Sequence, residues 1–158
     1  MYDLIFIFIT FVIWNIDICC EMTLKEHLNC DDRFASDAGM QVIEIKPGFA
    51  RTKMVVMERH LNAGGICQGG AIFTLADLAF AAAVNSLGNL AFAINSTIYY
   101  HTAATLGMEL TATARLVSDQ PKLPTIEVIV TAQDGTHIAT FSAQGYNKRI
   151  PNNFSALE

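Results

Sequence analysis

Basic residues are scarce in this 158-residue chain: 10 Lys and Arg stand against 15 Asp and Glu, for a formal net charge of -5. A nucleic-acid binder needs a basic stripe to neutralise phosphates, so that class is excluded. Cysteine is sparse as well. Cys19, Cys20, Cys30 and Cys67 form no CxxC pair, and no histidine stands at zinc-finger spacing from them. That pattern excludes a zinc ribbon and favours reduced thiols in a cytoplasmic protein over a disulfide framework. No metal and no cofactor is called for.

Long hydrophobic runs are absent, with one exception. Leu4 to Trp14 (LIFIFITFVIW) is almost continuously apolar, but it falls short of the roughly 20 residues that span a bilayer. No Lys or Arg precedes Lys25, and no small-residue cleavage site precedes Cys19 and Cys20, so a signal peptide does not fit either. The reading that does fit takes Met22 as the biological start and residues 1–21 as an apolar extension. Residues 22–148 then form one domain, residues 149–158 a polar tail expected to fray, and no membrane partner is expected.

Catalytic signatures of several classes are missing too. No Lys followed by Ser or Thr completes a phosphate loop, no GxGxxG follows a parallel strand, and no GxSxG elbow occurs. No internal repeat is visible. What the chain does have is apolar content: 52% of its residues are hydrophobic. That is enough for a single packed core at this length.

The pattern predicts a helix over residues 23–38, opened by a capping box of Thr23 and Glu26 and stopped by Gly39. Strands over 40–46 and 49–57 flank the Pro47-Gly48 turn as a hairpin. A glycine-rich connection, Asn62-Ala63-Gly64-Gly65-Ile66-Cys67-Gln68-Gly69-Gly70, leads into a second helix over 71–87. That helix is apolar almost all the way round, which predicts burial on every face. Strands follow over 90–101, 107–118, 125–133 and 137–147, the last two joined at Asp134-Gly135. Short connections make the sheet mostly antiparallel, so the fold class is α+β with the long helix as filling.

Chemistry concentrates at the entrance to the second helix. Gly69 and Gly70 expose backbone N–H groups without intrahelical partners, at the positive end of the helix dipole. Such donors suit a carbonyl oxygen that gains charge during acyl transfer. Asp77 is the one charged side chain on this helix. A lone acid there either faces solvent or serves function, and the adjacent glycine turn favours function. Cys67 reads as buried packing. Phe73, Phe80 and Tyr99 are core residues or walls of an acyl pocket.

The run Asn62-x-x-Gly65-x-x-x-Gly69-Gly70-Ala71-Ile72-Phe73-Thr74-Leu75-Ala76-Asp77-x-Ala79-Phe80-Ala81, followed by Asn85-Ser86, resembles the signature of hotdog thioesterases of the PaaI-like (phenylacetate-degradation) family. The resemblance runs from about Met22 to Lys148. It implies a hotdog fold, a long central helix wrapped by antiparallel sheet, and hydrolysis of an acyl-CoA, for which Phe73, Phe80 and Tyr99 lean toward an aryl or medium-chain acyl group. By the same resemblance Asp77 is the catalytic acid, acting as general base or nucleophile. Gly69 N–H polarises the thioester carbonyl, Asn62 orients water or the carbonyl, and Gln68 and Gly70 line the substrate site. It further implies a homodimer or homotetramer, with each active site at a dimer interface. Gln68 departs from the family's usual His, Ala63-Gly64 from its Gly-His, and Thr102-Ala103 from its Arg-Pro. Two other expectations stand beside hydrolysis: an acyl-CoA sensor or binding module, favoured by Gln68, and a hotdog enoyl-CoA hydratase.

Overall fold

The computed structural model describes residues 22–158; the apolar extension falls outside them. The chain begins with α1 (Leu24–Asp31) and α2 (Arg33–Asp37). The capping box forms: Glu26 N–H donates to Thr23 Oγ1 at 3.1 Å, and Thr23 N–H donates to Glu26 Oε2 at 2.9 Å. The single helix expected over 23–38 is instead two. Asp32 leaves helical geometry at ψ 82° and caps α2, its Oδ1 accepting from Ala35 N–H at 3.2 Å. A short acidic side chain that can satisfy orphan N–H groups competes with helix continuation, and here the cap wins.

The hairpin β1 (Gln41–Lys46) and β2 (Phe49–Val55) comes next, then a 3-10 turn at Glu58–His60. The long helix α3 (Gly69–Asn85) is followed by β3 (Asn89–Tyr100), β4 (Glu109–Ser118), β5 (Thr125–Ala132) and β6 (His137–Pro151). The six strands form one sheet in the order β1-β2-β4-β5-β6-β3, every neighbouring pair antiparallel. All six touch α3. This is the α+β arrangement of sheet around a central helix that the sequence pattern and the family resemblance both predict.

Small residues bring helix and sheet together. Ala76, Ala79, Ala82 and Ala83 on α3 are fully buried, as are Ala50, Ala112 and Ala114 on β2 and β4. The buried Thr52 hydroxyl donates to the Leu75 carbonyl at 2.9 Å, tying β2 to the helix. Phe141 fills the layer beneath, meeting the Phe73 ring edge-on at 5.2 Å. An added isopropyl group has no room in such a seam. Ala79→Leu is therefore expected to destabilise the fold by about 1–3 kcal/mol through overpacking, seen as a lower urea midpoint with unchanged slope.

One expectation about α3 fails in an informative way. The helix is not buried on every face: Gly70 is exposed, and Thr74, Asp77, Ala81 and Asn85 are half-buried. Their spacing of four, three, four and four places them on one stripe. The sheet covers the rest of the helix and leaves this stripe open.

The tail also differs from expectation. Residues after Pro151 fold back on the N-terminal helix instead of fraying. Leu24 and Lys25 N–H donate to the Ala156 and Leu157 carbonyls at 3.0 and 3.1 Å, and Ile45 N–H donates to Glu158 Oε1 at 2.6 Å. The first N–H groups of α1 lack partners within their own helix, so the tail supplies them. Phe154 and Leu157 pack against the core.

Candidate active site

The loop before α3 is fixed by a buried histidine. Met57 N–H donates to His60 Nδ1 at 3.0 Å, which leaves Nε2 as the donor to the Ala38 carbonyl at 2.8 Å. Gln68 N–H then bonds the His60 carbonyl at 2.7 Å, and Cys67 N–H bonds that of Ala104 at 2.8 Å. Cys67 is 4% exposed, and burial pushes its thiol pKa up. A thiol in that state packs rather than attacks.

Gln68 caps α3. Its Oε1 accepts from Gly70 N–H in a very short contact and from Ala71 N–H at 3.2 Å. The helix therefore begins at Gly69, two residues before the start the pattern predicts. Of the two glycine donors one is consumed by this cap. Gly69 N–H makes no hydrogen bond among the described residues and remains available to a ligand. Asn62 lies in the exposed turn upstream. Its Oδ1 accepts from Gly64 N–H at 2.8 Å, and its backbone carbonyl accepts from Gly65 N–H at 3.0 Å. The carbonyl end of Asn62 thus holds the turn, and its Nδ2 makes no bond among the described residues.

Asp77 sits on the open stripe of α3, two turns beyond Gly69. It borders a cavity of about 260 Å³ together with Leu24, His27, Phe80, Phe92 and Phe154. Its carboxyl pKa is raised, chiefly by burial and secondarily by the charge of Asp32. Gln68 and Gly70 border a different, open cleft of about 700 Å³, with Phe34, Arg59, Phe73 and Thr74. At 1.5 Å per residue, Gly69 and Asp77 are about 12 Å apart along the helix axis. One chain does not bring them together, and Asn62 borders neither cavity.

Of the aromatic candidates, Phe80 is a core residue that touches the Asp77 cavity and Phe73 faces the cleft, while Tyr99 is 63% exposed and borders neither. Two residues that the sequence reading passed over contribute directly. Asn85 Oδ1 accepts from Ala91 N–H at 3.0 Å and its Nδ2 donates to the Ala81 carbonyl at 3.0 Å, binding the end of α3 to β3. Its place in the signature run was the available signal. Tyr100 donates its phenol proton to the Gly69 carbonyl at 2.8 Å, across 31 residues of sequence, and no local signal announces that contact.

Comparison with known proteins places the fold in a family. The Thioesterase superfamily model matches residues 64–139, which includes the glycine turn, α3 and β3 through β5. Acyl-coenzyme A thioesterase PaaI of Escherichia coli is 33% identical over 116 residues, covering 73% of this chain and 83% of that protein. The solved structure of the same PaaI protein, from the phenylacetic acid degradation operon, superposes with a TM-score of 0.74 at 31% identity over 77% of this chain and 88% of that one. A protein of Archaeoglobus fulgidus is 44% identical over 95 residues, 60% of this chain, so the match spans 62% of that relative's length. A protein of Streptococcus mutans solved with acetyl CoA bound has a TM-score of 0.69 at 26% identity, over 72% of this chain and 91% of that one.

A long helix wrapped by an antiparallel sheet in this way is the hotdog fold of the thioesterase superfamily. Within that superfamily, the chain belongs to the PaaI-like family. No helix among the described residues is long and apolar enough to cross a membrane.

Proposed function

We propose that this protein is a cytoplasmic acyl-CoA thioesterase that releases a free acid and CoA from an aryl- or medium-chain acyl-CoA. The observation that carries this reading is Asp77, a half-buried carboxyl with a raised pKa on the open stripe of an apolar helix. A carboxylate so placed is a stronger base than one in water. Asp77 takes a proton from water as the water oxygen attacks the thioester carbon. The carbonyl oxygen gains negative charge and is stabilised by Gly69 N–H, reinforced by the α3 dipole. The C–S bond then breaks, the acyl group leaves as the acid, and the CoA thiolate takes up the proton. Attack by the Asp77 carboxylate itself, followed by hydrolysis of the anhydride, uses the same atoms. Asn62 Nδ2 is the amide that orients the water or the carbonyl, and Gln68 and Gly70 border the substrate.

The two halves of this site meet between subunits. β3 is an edge strand of 12 residues, and Phe92, Ile94, Tyr99 and Tyr100 on it are all more than half exposed. A long apolar edge of this sort favours pairing with another strand. Antiparallel pairing of β3 with its copy about a two-fold axis sets the start of one strand beside the end of the other. The start of β3, Leu90 to Ala93, borders the Asp77 cavity. The end of β3 carries Tyr100, which touches Gly69. A homodimer, alone or within a homotetramer, thus supplies Asp77 from one subunit and Gly69 from the other. The Streptococcus mutans relative with acetyl CoA bound supports the CoA thioester class.

The test is release of free thiol from phenylacetyl-, benzoyl-, hexanoyl- and palmitoyl-CoA. A 260 Å³ cavity beside Asp77 predicts turnover of the first three and little of the last. Tight binding of every one of these without thiol release would make the protein an acyl-CoA binding module. Hydration of an enoyl-CoA with no thiol release would make it a hydratase.

A further inference from the structure

We infer that Tyr100 is a positioning residue for the proposed hydrolysis: its phenol clamps the first turn of α3 so that Gly69 N–H stays aimed at the acyl carbonyl. The inference rests on the thioesterase reading for its catalytic consequence, and on hydrogen bonds alone for the clamp itself.

Two peptide planes meet at the Gly69 Cα, and each is held. The carbonyl of the Gln68–Gly69 peptide accepts from Ala71 N–H at 2.9 Å and Ile72 N–H at 3.4 Å. Because the peptide is planar and trans, its N–H, which belongs to Gly69, points the other way, out of the helix. The Gly69–Gly70 peptide is gripped at both ends by side chains. Its carbonyl accepts from Tyr100 Oη at 2.8 Å, and its N–H donates to Gln68 Oε1.

Such a grip matters most at this spot. Two adjacent glycines lose more backbone freedom on folding than any other pair, and they open the helix where intrahelical bonds are fewest. Left alone, that turn would sample many directions for the Gly69 donor, and a donor helps a transition state only when it is already in place. The missing Cβ is also used: one added at Gly69 would lie 2.9 Å from Tyr100 Oη. Tyr100 in turn is anchored in the sheet, its register partner on β6 being Ala139. Burial, with a smaller contribution from Cys67, raises the phenol pKa, so the donor keeps its proton at neutral pH.

Tyr100→Phe removes the phenol oxygen and keeps the ring. The expected result is a kcat about 10-fold lower with KM within twofold, a loss smaller than that for deleting an oxyanion donor outright. Tyr146→Phe, on β6 and away from both cavities, is expected to change neither. Amide hydrogen exchange of the segment spanning Gly69 to Ala71 is measured on the same proteins, with no substrate present, and is expected to quicken several-fold in Tyr100→Phe alone. Unchanged exchange would overturn the clamp whatever the enzyme does. Faster exchange with an unchanged kcat would overturn its catalytic role. Absence of thiol release from the wild type would instead sink the thioesterase reading, with the clamp still judged by exchange.

Discussion

Asp77→Asn is expected to lower kcat by about 10²–10⁴-fold, the usual contribution of a positioned general base, while the protein still folds and assembles. The substitution is nearly isosteric, so it removes the proton acceptor and leaves the shape of the 260 Å³ cavity. Asp77 makes no hydrogen bond among the described residues, so no partner is orphaned. The pH dependence follows from the direction of its shift. The carboxyl pKa is raised by burial and then by Asp32, and the base must be ionised, so kcat/KM falls as pH drops through that raised value. Removing the neighbouring charge with Asp32→Asn moves this acid limb to lower pH. Stability runs in the opposite sense. A carboxyl whose pKa is higher folded than unfolded binds its proton more tightly in the folded state. Its ionisation penalises folding above the folded pKa and imposes no penalty below the unfolded one. Asp77→Asn should therefore melt above the wild type at pH 7, with the gap closing as the solution is acidified. Hydrolysis within twofold of the wild type in this variant would remove Asp77 from the mechanism.

Mixing two inactive proteins is expected to restore activity. In the proposed dimer each site takes Asp77 from one subunit and Gly69 from the other. Subunits carrying Asp77→Asn and subunits carrying Gly69→Val are each dead alone. A heterodimer of the two has one doubly damaged site and one wholly wild-type site. Random reassortment makes half of the dimers mixed, so the blend should recover about a quarter of wild-type activity by the symmetry of an isologous pair. Size-exclusion chromatography of each parent checks that both still assemble, because a side chain at residue 69 displaces Tyr100. No recovery from subunits that demonstrably exchange would put both residues in one chain, against the separation of about 12 Å along α3.

Local chemistry was legible in the amino-acid order. Thr23 and Glu26 announce the start of α1, Pro47-Gly48 and Asp134-Gly135 mark the hairpins, and the alternation in residues 109–118 matches the burial of Leu110, Ala112 and Ala114. Each of these signals acts over a few residues, through caps, turns or a two-residue period. The break at Asp32 was less legible because an acid is ordinary on an exposed helix face and becomes a cap only when the next turn changes direction. The docked tail was hidden because Phe154 and Leu157 are isolated apolar residues among polar ones. Their value depends on α1 presenting unpaired N–H groups nearby.

By itself the sequence determined the central helix with its single acid, the glycine entrance before it, the strands that follow and the family to which the chain belongs. These are patterns carried by neighbours in the chain, where periodicity and turn preference suffice. The tertiary structure alone decided which stripe of α3 stays open, that β3 rather than β6 forms the sheet edge, and that Tyr100 reaches Gly69. It also decided that Asp77 borders one cavity while Gln68 and Gly70 border another. The physical reason is that strand order and helix coverage depend on how surfaces distant in the chain pack, and no pattern among neighbouring residues records that.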